Sequence, residues 1–167
     1  IRRAQKKPAV YLQASAVGFY GYRTTEELDE SGPPGNDFLA DLCRQWEAAS
    51  AELGLLGVRR LIARIGVVLS PKGGALAKML LPFKLGIGGP IGSGRQPFSW
   101  ISLDDVASAI RFLLEDQGAE GVFNLTAPNP VTNAEFARAL GRALKRPAFL
   151  PAPPFVLKAI FGEMAEV

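Results

Sequence analysis

A chain of 167 residues with 48% hydrophobic and 21% charged residues has the size and composition of about one soluble globular domain. One cysteine and no histidine exclude a disulfide framework, a Cys-rich or zinc metal site and a Ser-His-Asp triad. A formal charge of +3, with the only basic cluster at Arg2, Arg3, Lys6 and Lys7 and no aromatic residues among them, argues against nucleic-acid binding.

No apolar run reaches the roughly 18 residues that span a bilayer. The basic start also lacks the apolar core of a signal peptide. No membrane association is therefore expected, and a cytoplasmic protein is the default. The start at Ile1 and the unfinished helical pattern before Val167 read as the ends of a fragment.

Residues 8–15, PAVYLQAS, form a short apolar run and predict a buried strand. A loop rich in turn formers follows. From Asp37 to about Leu53, Phe38, Leu42, Cys43, Trp46, Ala49 and Leu53 recur at helical spacing, so an amphipathic helix with its cap at Asn36 or Asp37 is expected. Residues 59–69, RRLIARIGVVL, predict a strand covered on both faces of a parallel sheet. Strand, helix and strand make a βαβ unit.

The segment 73–94 is rich in glycine and has interleaved Leu80, Leu81, Phe83, Leu85 and Ile87. It reads as an irregular lid over a pocket, since long loops in ordered domains tend to be functional; a linker is the alternative. Residues 98–101 predict a short strand. Ser102 and Asp105 have capping-box spacing before a helical face that includes Val106, Ile110 and Leu113. Residues 122–126, VFNLT, predict another strand. Thr132 and Glu135 form a second capping box, for a helix running to about Lys145. Pro153 and Pro154 suit the first turn of a last helix.

This alternation predicts an α/β fold with a parallel sheet and helices on both faces. Ligands of such sheets bind outside the carboxyl ends of the strands, here near residues 15–20, 66–69 and 126–129, which are expected to converge on one cleft.

The succession ASAVGFYG, FLADLCRQWEAA, RIGVVLSPKGGALAKMLLPFKLGIGGPIGSGRQPFSWISLDDV and NLTAPNPVTNAEFARALGRAL resembles the atypical extended branch of the short-chain dehydrogenase/reductases, the YfcH-like "epimerase family" proteins. The resemblance covers nearly the whole chain. It implies part of a Rossmann-type doubly wound parallel sheet that binds NADP(H), with a smaller substrate-side subdomain. On that pattern residues 1–70 are the second half of the dinucleotide-binding domain. Residues 71–150 are the lid and substrate-side segments interleaved with the sheet, and residues 151–167 begin a carboxyl-terminal extension. No G-x-x-G-x-x-G loop opens this chain, although in the family that loop cradles the pyrophosphate, so NADP would be bound mainly through an amino-terminal half that precedes it.

The family's catalytic pattern is broken. The position that polarises substrate oxygen falls on Ala16, with Ser15 beside it, and the Tyr-x-x-x-Lys positions fall on Leu39 and Cys43. Ser15 and Tyr20 remain as the catalytic candidates. Ser15 is also a cofactor candidate, together with Arg64, Gly66 and Val67. By the resemblance Arg64 pairs with a phosphate or ribose of NADP; its alternatives are an ion pair with Glu47 or a solvent-facing edge position. Gly66 and Val67 match a loop whose backbone meets nicotinamide, with ordinary strand packing as the alternative. Where nucleotide-sugar enzymes carry a diphosphate-binding Arg, this chain has Phe98, with Arg95 three residues away. The substrate is therefore read as an unknown small carbonyl or alcohol compound and not a nucleotide sugar. The expected function is that of an NADP-dependent oxidoreductase, the rival being a non-catalytic NADP(H)-binding regulator or redox sensor.

Overall fold

The computed structural model describes residues 1, 4–22, 26–148 and 151. The last helix expected from Pro153, and most of the expected extension 151–167, lie outside them. The chain divides into two compact units, each built from two stretches of sequence. The first comprises Ile1–Gly66 and Leu103–Thr126; the second comprises Val67–Ser102 and the residues from Ala127 onward.

The first unit is built on a parallel sheet of β1 (Val10–Ala16), β2 (Arg59–Ile65) and β6 (Gly121–Leu125) in the order β1-β2-β6. A 3-10 turn, Val17–Tyr20, leaves β1, and helix α1 (Phe38–Ala48) returns the chain toward β2. Helix α3 (Leu103–Glu115) precedes β6. The register aligns Ser15 with Arg64 and Arg64 with Asn124. Because side chains alternate along a strand, these three polar residues share one face near the carboxyl end. Helix α1 covers that face. On the other face Arg59 reaches α3, donating to the carbonyls of Leu113 at 3.1 Å and Leu114 at 2.9 Å. Helices therefore lie on both faces, as the alternating pattern predicts. Leu61 and Ala63, both 0% exposed, show how fully the middle strand is enclosed.

Helix α1 begins where capping chemistry indicates, since the Asp37 carboxylate accepts from the Ala40 amide at 2.9 Å. Its buried stripe differs from the expected one. Ala40, Cys43 and Glu47 face inward, while Phe38 and Trp46 stay exposed. A β-carbon at Gly18 would lie 3.6 Å from Leu39 Cβ and 4.0 Å from Cys43 Sγ, so the turn after β1 packs in ordinary contact against this side of the helix.

The second unit pairs β3 (Val67–Leu69) with β5 (Trp100–Ser102) in parallel, and β4 (Pro97–Phe98) with β7 (Val131–Thr132) in antiparallel fashion. The apolar run 59–69 is thus two strands and not one. The chain changes partners at Gly66: the Gly66 amide donates to the Leu125 carbonyl, whereas the Val67 amide donates to that of Ser99.

The glycine-rich segment is also more regular than expected. Gly74–Lys84 is a helix, α2, whose Met79, Pro82 and Phe83 are buried. Met79 and Phe83 join Phe136 and Ala137 of α4 (Asn133–Leu144) in the core of this unit. After α2 the chain is fastened to the start of α4. The Asn133 amide donates to the Gln96 carbonyl, the Ala134 amide to that of Gly94, and the Ile91 amide to Asn133 Oδ1 at 2.7 Å. Glycine is required where backbone meets this core. A β-carbon at Gly88 would stand 2.3 Å from Phe83 Cδ2, and one at Gly94, where φ is +67°, 2.8 Å from Ala134 Cβ. Helix α4 opens with the Thr132–Glu135 capping box read from the sequence.

Candidate functional site

The polar row across the carboxyl end of the first unit's sheet is the nucleus of the candidate site. Glu47 comes to it from α1, and two interactions fix the end of that helix. Gln13 Nε2 donates to the Trp46 carbonyl and Arg60 Nη2 to that of Glu47, so the sheet satisfies carbonyls that a helix terminus leaves open. The Glu47 carboxylate then receives Ser15 Oγ at 2.7 Å, Arg64 Nε at 3.0 Å and Arg64 Nη2 at 2.9 Å. This is a bidentate arginine-carboxylate pair, the geometry that best suits a desolvated pair of charges.

Arg64 has further partners. Its Nη1 donates to the Tyr20 hydroxyl at 2.9 Å and to the Glu30 carbonyl at 3.3 Å. The Phe19 ring covers the guanidinium, with its centroid 3.3 Å from Cζ. The Tyr20 hydroxyl in turn donates to Asn124 Oδ1 at 2.7 Å, and the Asn124 backbone N–H donates to Glu30 Oε1 at 2.7 Å. A single connected network thus ties three strands, one helix and the turn after β1. Among the described residues, no buried side-chain nitrogen or oxygen lacks a partner.

Burial by itself would push the Glu47 carboxyl up. The hydrogen bonds from Arg64 and Ser15 and the positive charges of Arg64 and Arg60 outweigh it and hold Glu47 below the ordinary carboxylate range. For Arg64 burial opposes the charge, but hydrogen bonds to Glu47 and Tyr20 and the Glu47 charge keep its proton more tightly bound than usual. Both groups are therefore ionised at neutral pH. Removing one member of such a pair leaves a buried charge uncompensated, at a cost of about 3–5 kcal/mol.

Of the residues singled out from the sequence, Ser15, Tyr20 and Arg64 come together. Arg64 is only 4% exposed, and its counter-charge is Glu47, the ion-pair alternative read from the sequence. Ser15 is turned toward Glu47. Tyr20, the candidate proton donor, has its O–H and a lone pair engaged inside the protein at 6% exposure; in this arrangement it does not present a proton outward. Gly66 is buried at the end of β2, and Val67 opens β3 in the second unit. The Tyr-x-x-x-Lys positions hold an exposed Leu39 and a buried Cys43, so α1 offers neither a phenol nor an amine. Phe98 stacks on Phe136 with ring centroids 4.4 Å apart, which makes it a packing residue, while Arg95 is exposed.

Sequence reasoning missed Asn124, Glu30 and Phe19. A signal existed for Asn124, a polar residue in the middle of an apolar strand run. Among the described residues, no group of three or more Cys, Asp or Glu could hold a metal ion, and no helix is long and apolar enough to cross a membrane.

The parallel sheet, its helices on both faces and the polar row at its carboxyl end define a Rossmann-type α/β protein. No family model matches the chain. It is 49% identical over 160 residues to the mouse epimerase family protein SDR39U1, covering 95% of this chain and 54% of that protein. It is 47% identical over 164 residues to the chloroplastic SDR39U1 homolog of Arabidopsis thaliana, covering 98% and 47%. The crystal structure of human epimerase family protein SDR39U1 with NADPH superposes with a TM-score of 0.87 at 42% identity, over 98% of this chain and 56% of that one. The chain belongs to this epimerase family, of the extended short-chain dehydrogenase/reductase type. It spans about half the length of the curated relatives it matches.

Proposed function

We propose that this chain is the substrate-side half of an NADP(H)-binding, oxidoreductase-type protein that acts on a small carbonyl or alcohol compound. The observation that carries this reading is the superposition, over 98% of the chain, on a relative whose structure contains NADPH. The described residues suit one end of such a cofactor. The carboxyl ends of β1 and β2, with the backbone of Gly66 and Val67 following, would receive the nicotinamide ring, which supplies the hydride when bound. The first turn of α1 carries the Asp37 cap and Asp41, and that of α3 carries Asp104 and Asp105, so these two helix starts of the first unit do not suit the pyrophosphate.

The site chemistry narrows the reaction. Phe98 packs against Phe136 where nucleotide-sugar enzymes carry a diphosphate-binding arginine, which supports a substrate without a nucleotide. Leu39 and Cys43 supply no phenol-amine relay on α1, so a proton donor for the reaction is sought outside that helix. The same observation, with the buried Tyr20 hydroxyl, favours a second reading: NADP(H) binding without turnover, as a redox-reporting or regulatory protein.

Full-length protein titrated with NADPH by cofactor fluorescence, followed by cofactor oxidation against aldehydes, ketones and quinones, separates the two. The leading reading expects binding and turnover of at least one compound class. Binding without turnover across the panel supports the second reading, and no binding of NADPH contradicts both.

A further inference from the structure

We infer that Arg64 is a positioning residue for the cofactor end of the site: its cation is committed to Glu47, and it acts on a bound dinucleotide only through the Val17–Tyr20 turn that it holds at the end of the sheet. The inference rests on the NADP(H)-binding reading above.

The geometry of the guanidinium argues against direct contact with a phosphate. Of its five N–H donors, four have partners: two on the Glu47 carboxylate, one on the Tyr20 hydroxyl and one on the Glu30 carbonyl. One flat face is covered by Phe19 at 3.3 Å. At 4% exposure, the group has almost no surface to present. A phosphate that captured Arg64 would also strip Glu47 of its ion-pair partner and leave a buried carboxylate with Ser15 as its remaining hydrogen-bond donor, an unfavourable exchange.

What Arg64 touches shows its role. Phe19 and Tyr20 belong to the turn that directly follows Ala16, and the edge of one ring meets the other, with centroids 5.4 Å apart. The Glu30 carbonyl lies in the next loop, which the Asn124 backbone N–H also holds through Glu30 Oε1. One cation therefore fixes the turn and the loop above the strand ends where a ligand of this fold class lies. Loss of Arg64 would let the backbone of residues 16–18 shift, and a site misplaced by a fraction of an ångström binds poorly.

The test uses the full-length protein with Arg64→Met, Glu47→Leu, the double replacement and Arg64→Lys, measuring affinity for NADPH and NADH and the melting temperature without cofactor. Each apolar single replacement is expected to weaken both nucleotides by about tenfold and equally, with a lowered melting temperature, as the loss of a supporting shell does. The double replacement is expected to restore melting and to bring both affinities within about threefold of the parent, because an apolar pair can stand in for a buried ion pair. Arg64→Lys should leave the NADPH to NADH affinity ratio unchanged. Three results overturn the inference: unchanged affinity in Arg64→Met, a double replacement that melts like the parent yet still binds NADPH weakly, or a shift of the affinity ratio of about tenfold or more in Arg64→Lys. If the double replacement does not fold, the ratio in Arg64→Lys decides. A parent protein that binds neither nucleotide fails at the earlier step and contradicts the NADP(H)-binding reading itself.

Discussion

Among the described residues, the parallel-sheet unit buries four polar side chains, Ser15, Glu47, Ser50 and Arg64, whereas the glycine-rich unit buries one, Asn133. The first unit assembles its interior near the sheet's carboxyl end by matching charges and hydrogen bonds. The second assembles its core by fitting glycine backbone against Phe83 and Ala134. The contrast separates two residue patterns that both look like ligand sites in a sequence. A buried charge calls for a partner, and here the partner is internal; a run of glycines calls for close approach, and here what approaches is the protein's own core.

The two units should therefore fail in different ways. In the full-length protein, Glu47→Leu alone is expected to destabilise by about 3–5 kcal/mol, because Arg64 is left charged and buried. Urea unfolding measures this, and a loss below about 1 kcal/mol would mean that the pair is solvated like a surface bridge. A smaller effect is expected in the other unit. Gly88→Ala places a β-carbon inside the contact radius of Phe83 and should cost about 1–3 kcal/mol by overpacking. A neutral outcome would return the segment to the status of a loosely held loop and remove the contrast.

Much of the first unit was legible in the sequence. The apolar runs of β1 and β6 and the Asp37 cap mark element positions there with local chemistry alone, as the Thr132–Glu135 capping box does in the second unit. The break at Gly66 was not legible. Residues 61–69 interrupt their apolar run only at Arg64 and Gly66, and only the hydrogen-bond partners Leu125 and Ser99 reveal that the two halves belong to different sheets. Helix α2 was hidden by its surroundings: Gly73, Gly74, Gly86, Gly88 and Gly89 flank a good helix-forming stretch, ALAKMLL, and drew attention away from it.

The site was half legible for a similar reason. Arg64 stood out as a charge inside an apolar strand, and an ion pair with Glu47 was one of the alternatives to a phosphate or ribose partner. Asn124 and Glu30 are 94 residues apart, and only the register of β2 on β6 brings Asn124 beside Arg64. The direction of Arg64 toward Glu47, and not outward toward a cofactor, depends on that three-dimensional fit.

The internal pairing also fixes a pH dependence. A carboxyl whose native value lies below its unfolded value contributes stability above the unfolded value and loses it as pH falls through the native one. Glu47 is of this kind, so its contribution should be fully present at neutral pH and disappear only in acid. The most direct measurement is the carboxyl carbon shift of Glu47 followed by NMR as the pH is lowered. The carboxylate is expected to stay ionised through the ordinary glutamate value of 4.5 and to titrate below it. A midpoint at or above 4.5 would show that Arg64 does not hold Glu47, and would contradict the claim that the network is closed on itself.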